Sequence, residues 1–273
     1  FGNWFEIDQL IPFGTYIVIA FISISFLGTL FFVGTNFKSE KIGFSLTRHI
    51  MKNKIALYVY LGFSLIYLTI TALNLEEIAR VLKPFLLPIL LIAVYFSNRF
   101  SSKKILLTAL TFSWIGDIVL LFANQGELYF IVGLVAFLIS HVFYIVLFNK
   151  QTVTKSISNK ISFGAGIGLI LLYFFGMITT LGPKLGPLTV PVIVYAIVIS
   201  SMLYFALKGS YQWNAIPYQS VLVGALFFIA SDSILAFNKF YQPIPYASFL
   251  IMITYLGAQY GIVWGILNLN QKK

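Results

Sequence analysis

Long apolar runs dominate this chain and leave it one kind of environment. A helix that crosses a bilayer needs roughly 20 apolar residues. Nine stretches reach or approach that length, at about 11–35, 55–75, 82–96, 105–122, 128–148, 161–181, 188–207, 217–237 and 246–269. The third is short and borrows from its flanks. Of 273 residues, 59% are hydrophobic and 10% are charged, where a soluble domain holds about 45–50% and about 25%. Too little polar surface remains to cover even one soluble domain. The expected fold is all-α, a polytopic transmembrane helical bundle. The chain has no cysteine, which excludes a disulfide scaffold and thiolate metal sites. Its two histidines, His49 and His141, cannot alone make a typical zinc site. No stretch has the pattern of a cleaved signal peptide.

The net charge of +10 invites a polyanion partner until the bases are placed. They lie in the loop after span 1 (Lys38, Lys41, Arg48, Lys52, Lys54), after span 3 (Arg99, Lys103, Lys104), after span 5 (Lys150, Lys155, Lys160), after span 7 (Lys208) and at the C-terminus (Lys272, Lys273). The alternate loops hold only Arg80, Lys83, Lys184 and Lys239. Under the positive-inside rule the C-terminus is cytoplasmic and the N-terminus outside. The basic excess reads as topology, and no nucleic-acid partner is expected. The expected location is a bacterial inner membrane, with membrane lipids as neighbours.

Every loop is short, the longest at about 36–54, and no linker marks a second soluble domain. Gly164, Gly166 and Gly168 in span 6, and Gly257, Gly261 and Gly265 in span 9, read as places where helices approach closely in lipid. Trp4, Tyr95, Tyr129, Trp213 and Tyr246, near span ends, fit interfacial belts. A weak internal repeat pairs Ile115-Gly116-Asp117-Ile118-Val119-Leu120-Leu121-Phe122 with Ala230-Ser231-Asp232-Ser233-Ile234-Leu235-Ala236-Phe237. In both, the acid comes five residues before a Phe that closes the span. Spans 4 and 8 run in the same direction, so each acid should sit roughly 8 Å below the outer end of its helix.

The eight acids can be placed one by one. Glu6, Asp8, Glu40, Glu76, Glu77 and Glu127 fall outside or at the ends of spans, near water. Asp117 and Asp232 lie inside spans. An ionisable group there costs at least about 2.5–3.5 kcal/mol on insertion scales and marks a functional site by default. Of two buried carboxyls close together, one can keep its proton as a general acid while the other stays ionised. That pairing suits chemistry through an oxocarbenium-like cation. Proton-coupled transport, or hydrogen bonds that only tie helices together, would use the same residues. Intramembrane aspartyl proteolysis fits poorly, because Trp114 and Ile229 stand where a Gly-x-Gly-Asp motif would begin.

Other polar groups lie inside spans. His141 and Tyr144 share one helix face, as do Tyr255 and Gln259, and Tyr195 is in span 7. His141 comes out roughly 20 Å below the outer end of span 5, on the order of 12 Å deeper than the acids. It is therefore not expected to touch them directly. Lys83, followed by Pro84, begins span 3 and can bind a phosphate as a point charge or simply snorkel.

An ordered series of short pieces resembles the YhhN-like family of membrane proteins. The pieces are Lys83-Pro84, Gly116-Asp117 with Leu120, Gly133 through His141 and Tyr144, Tyr195 with Met202, Gly224 through Ser231-Asp232, and Thr254-Tyr255 with Gln259. They cover roughly residues 55–269. The resemblance implies an eight-span catalytic core at 55–273, with span 1 and its basic loop (1–54) as an addition. It also implies a lysoplasmalogenase, which hydrolyses the vinyl ether of a lysophospholipid to a fatty aldehyde and glycerophosphoethanolamine or glycerophosphocholine and needs no metal or organic cofactor. The family's two intramembrane acids fall on Asp117 and Asp232. Lys83 is the expected phosphate contact, and His141, Tyr144, Tyr195, Ser231, Tyr255 and Gln259 the expected lining. The alternative is a proton-coupled small transporter or a lipid-binding membrane protein using the same acids.

Overall fold

The computed structural model describes residues 46–213 and 215–270; span 1 and Trp4 lie outside them. The first described helix, α1, runs Leu46–Ala72, so it starts well inside the segment expected as a basic loop. The third span does borrow from its flank. It begins as α2 (Glu76–Leu82), passes through a 3-10 turn at Lys83–Phe85 and continues as α3 (Leu86–Tyr95). Pro84 sits in that turn, because proline lacks the N–H and clashes with the preceding turn of an α-helix. Then follow α4 (Lys103–Leu120), α5 (Glu127–Asn149), α6 (Lys160–Leu181), α7 (Thr189–Gln212), α8 (Ala215–Ala236) and α9 (Ala247–Leu269). α8 is prolonged by a π-turn at Phe237–Tyr241. No strand occurs among the described residues. Among the described residues, seven of the eight helical segments are long and apolar enough to cross a membrane. The eighth, α4, carries Lys103, Lys104 and Asp117 within its 18 residues. The chain is an integral membrane protein with an all-α bundle fold.

Successive packing closes a ring. α1 lies on α3, α3 on α4, α4 on α5, α5 on α7, α7 on α8, α8 on α9, and α9 returns to α1. α6 stands outside the ring against α7, with only Ile170 and Leu181 buried. Its glycines reflect this. A Cβ on Gly166 would meet Leu207, but Gly164 and Gly168 have nothing within 4 Å, so the packing expected of all three holds for one. The glycines of α9 do pack. A Cβ on Gly261 would lie 3.0 Å from the Ser220 carbonyl oxygen, and one on Gly224 of α8 only 2.9 Å from the backbone nitrogen of Ile262. Small residues let two backbones touch where lipid gives no hydrophobic drive. Ser220 adds a hydrogen bond to the Gly261 carbonyl at 2.9 Å.

The two ends of the bundle differ. At the lysine-rich end, Lys103 donates to the Tyr95 and Ser97 carbonyls at 2.8 and 2.7 Å, which closes the C-terminus of α3. Gln151 donates to Ser102 at 3.0 Å and accepts from Asn270 at 2.8 Å. Trp213, expected at a membrane interface, is instead buried there against Phe148. The opposite end opens into a cavity. We expect Gly224→Ala to lower the melting temperature in detergent by several degrees, an overpacking cost of about 1–3 kcal/mol. Gly168→Ala, facing open space, should leave it unchanged. Equal melting curves would remove the backbone-contact account of the α8–α9 pair.

Candidate functional site: two carboxylates on one cavity

The break at Pro84 builds the first half of the site. Its carbonyl accepts a hydrogen bond from the Trp114 indole N–H at 2.7 Å, which fastens the 3-10 turn to α4. Asp117, three residues further along α4, lies on the same face as Trp114. The Lys83 ammonium, in the same turn as Pro84, reaches the Asp117 carboxylate at 3.5 Å on Oδ1. From α9, the Tyr255 hydroxyl donates to Oδ2 at 2.7 Å. Both carboxylate oxygens therefore face donors, and the side chain is only 3% exposed. Gly116 makes room on the next face: a Cβ there would stand 2.6 Å from the Phe137 ring.

Asp232, on α8, has different company. Tyr195 of α7 donates a hydrogen bond to its Oδ2. His141 Nε2 lies 3.7 Å from the same oxygen. No hydrogen bond reaches Oδ1 from the described residues, and the side chain keeps 14% exposure. The His141 contact overturns the expected depth gap, for two reasons. First, α8 does not stop at Phe237 but continues through the π-turn to Tyr241, which sets Asp232 roughly 13 Å from that end rather than 8. Second, side chains lean toward the N-terminus of their own helix. α5 and α8 start at opposite ends, so His141 and Asp232 lean toward each other. The internal repeat also ends sooner than expected, since α4 stops at Leu120 and Phe122 lies in a turn.

The two acids meet through space, not through contact. Both line one cavity of about 570 Å³ at the open end of the bundle. Among the described residues, no hydrogen bond joins one carboxyl to the other. Lys83, Ser231 and Tyr255 line the same cavity; Ser231 spends its hydroxyl on the Ile251 carbonyl at 3.0 Å. Tyr195 borders instead two small apolar crevices of about 40 Å³ behind Asp232. Tyr144 and Gln259 do not reach the cavity. They are fully buried and bonded to each other at 2.6 Å. Phe228, also fully buried, packs edge-on against His141, Tyr144 and Tyr255, so an aromatic wall stands between the site and the lysine-rich end. Among the described residues no three His, Asp or Glu side chains gather as a metal set.

Sequence reasoning passed over Tyr67 and Thr71, which add α1 to the cavity wall. It also passed over Tyr60, whose hydroxyl ties α1 to the Leu256 carbonyl of α9 at 3.0 Å. Tyr60 and Tyr67 are seven apart, two helical turns on one face, and that spacing was the available signal.

The YhhN family profile matches residues 78–266, a stretch that includes both acids. Lysoplasmalogenase TMEM86A of Homo sapiens is 36% identical over 157 residues, 55% of this chain and 60% of its own length. The TMEM86A of Bos taurus is 34% identical over 158 residues, with shares of 55% and 60%. Lysoplasmalogenase TMEM86B of Homo sapiens is 30% identical over 158 residues, with shares of 57% and 60%. The chain thus spans about 60% of the length of these curated relatives. No solved structure matches it. With the profile covering well over half of its length, the chain belongs to the YhhN family.

Proposed function

We propose that this chain hydrolyses the vinyl ether bond of lysoplasmalogens, releasing a fatty aldehyde and glycerophosphoethanolamine or glycerophosphocholine. One observation carries the reading: two intramembrane carboxyls on separate helices line one cavity, each with a different set of partners. The relatives named lysoplasmalogenase supply the substrate class. By the positive-inside rule the cavity opens at the outer face of the membrane and the C-terminus is cytoplasmic.

The partners divide the labour. Asp117 has a donor on each oxygen, one of them an ammonium, and serves in this scheme as the ionised member of the pair. Among the described residues Asp232 faces no fixed cation; its neighbours are a tyrosine and a histidine, and in this scheme Oδ1, which accepts no hydrogen bond from them, holds the proton. Asp232 gives that proton to the vinyl carbon beta to the ether oxygen. The double-bond electrons form the new C–H bond, and the alpha carbon becomes an oxocarbenium. Asp117 stabilises this cation and orients a water molecule toward it. Water adds to the alpha carbon and its surplus proton returns to the carboxyl pair. The hemiacetal then collapses, with the hydroxyl proton passing to the departing glycerol oxygen. Tyr195 and Tyr255 hold the two carboxyls in place. Lys83, expected at the substrate phosphate, serves in this scheme as the counter-charge of Asp117.

Asp117→Asn and Asp232→Asn should each cut aldehyde release from lysoplasmenylethanolamine at least about a hundredfold, the lower range for a lost acid or base. Full activity in either variant, with the fold intact by circular dichroism, would sink the mechanism. Lys83→Gln leaves the Asp117 charge uncompensated, a change worth about 3–5 kcal/mol when one partner of a buried pair is removed. Its melting temperature should fall. The double variant Lys83→Gln/Asp117→Asn should recover the melting temperature but not the activity. Additive losses of stability would show that the two residues are not coupled.

A further inference from the structure

Among the described residues, six charged side chains line the cavity: Glu76, Arg80, Lys83, Asp117, Asp232 and Lys239. Four have partners in the fold. Arg80 pairs with Glu77 at 3.1 Å, Lys83 with Asp117, and Asp232 takes Tyr195 and His141. Glu76 and Lys239 are left without an ion pair among the described residues. They carry opposite signs, come from different walls of the cavity mouth, and do not pair with each other. Glu76 opens α2. Lys239 belongs to the π-turn, a rare geometry that recurs at functional sites. Its ammonium lies 5.2 Å from the centre of the Phe130 ring, another cavity-lining side chain. The loop beyond the turn is pinned, since the Asn238 side-chain oxygen accepts from the Ile244 N–H at 2.8 Å. The lysine is thus held over the cavity by its own backbone and by an aromatic face.

An unpaired cation and an unpaired anion on different elements of one cavity match a ligand that carries both charges. We infer that the cavity mouth is a subsite for a zwitterionic glycerophospho head group, with Lys239 taking the phosphodiester and Glu76 the ammonium. The lipid identity rests on the hydrolase reading above; the head-group chemistry does not. Lys83 is then free to stay with Asp117, and the vinyl ether, next to the glycerol, falls between the mouth and the two buried acids.

The test separates the two readings. The full chain in neutral detergent is titrated by calorimetry with glycerophosphoethanolamine, glycerol 3-phosphate and ethanolamine. The wild type should bind glycerophosphoethanolamine most tightly. Glu76→Gln should erase its advantage over glycerol 3-phosphate, and Lys239→Gln should weaken both phosphate ligands about three- to tenfold, the scale of one charge-assisted contact at a partly solvated site. Lys104→Gln, at the other end of the bundle, should move none of them. No binding by the wild type, or equal affinities in wild type and both variants, overturns the subsite. Aldehyde release is then followed from lysoplasmenylethanolamine and from an alkenylglycerol without phosphate. A rise in KM in the variants for the first substrate alone supports the subsite. An unchanged KM for both overturns it and leaves the hydrolase reading standing. The expected binding pattern with no aldehyde from either substrate overturns the hydrolase reading and leaves the subsite standing.

Discussion

The contact between Lys83 and Asp117 sets the terms for the cavity end of the bundle. A carboxylate in the hydrocarbon layer is tolerated when a cation and hydrogen-bond donors meet it. A lysine on an unbroken helix would carry its ammonium toward the membrane surface. Here the helix breaks at Pro84, the break is fastened by Trp114, and the lysine turns inward 3.5 Å from the carboxylate. The same break divides the third span into α2 and α3. The turn at one proline thus carries the lysine that accompanies the burial of Asp117.

The second acid is held by different means. Tyr195 and His141 approach Asp232 on one oxygen, and no hydrogen bond from the described residues reaches the other. Two carboxyls of one chemical type, on helices of one direction, are thereby made unequal. The inequality comes from neighbours on four further elements: the Pro84 turn, α5, α7 and α9. Phe228 touches the histidine of one acid and the tyrosine of the other, so the two arrangements are packed against a common, water-excluding body.

Much of this was legible because polar residues are rare in the spans. Scarcity singled out Asp117 and Asp232, and the lysine distribution assigned them to one end of the molecule. The ordered motifs pointed to Lys83, Tyr195 and Tyr255. What remained hidden depended on geometry that a residue count does not encode. The π-turn after α8 shifts the level of Asp232, and opposed side-chain leans bring in His141. Tyr144 and Gln259 carry the same polar signal as Tyr255, yet the Tyr144 hydroxyl donates to the Gln259 side-chain oxygen at 2.6 Å, away from the cavity. Spacing places a side chain on a helix face, and the neighbouring helix decides whether that face meets a cavity or a partner.

The short α4 has a consequence for the membrane around it. Gln151 and Ser102 are bonded, so α4 and α5 are level at the lysine-rich end. From there α4, with 18 residues, rises about 27 Å, and α5, with 23, about 35 Å. A bilayer thick enough for α5 is too thick for α4, and mismatch of this kind is absorbed by local thinning or by tilt. The shortfall falls where α4 stops, three residues beyond Asp117. The distance from that carboxylate to bulk water is therefore set partly by the lipid. The electrostatic environment of the acid is tied to hydrocarbon thickness, and a protein with unchanged coordinates would present a different site in a thin membrane and in a thick one.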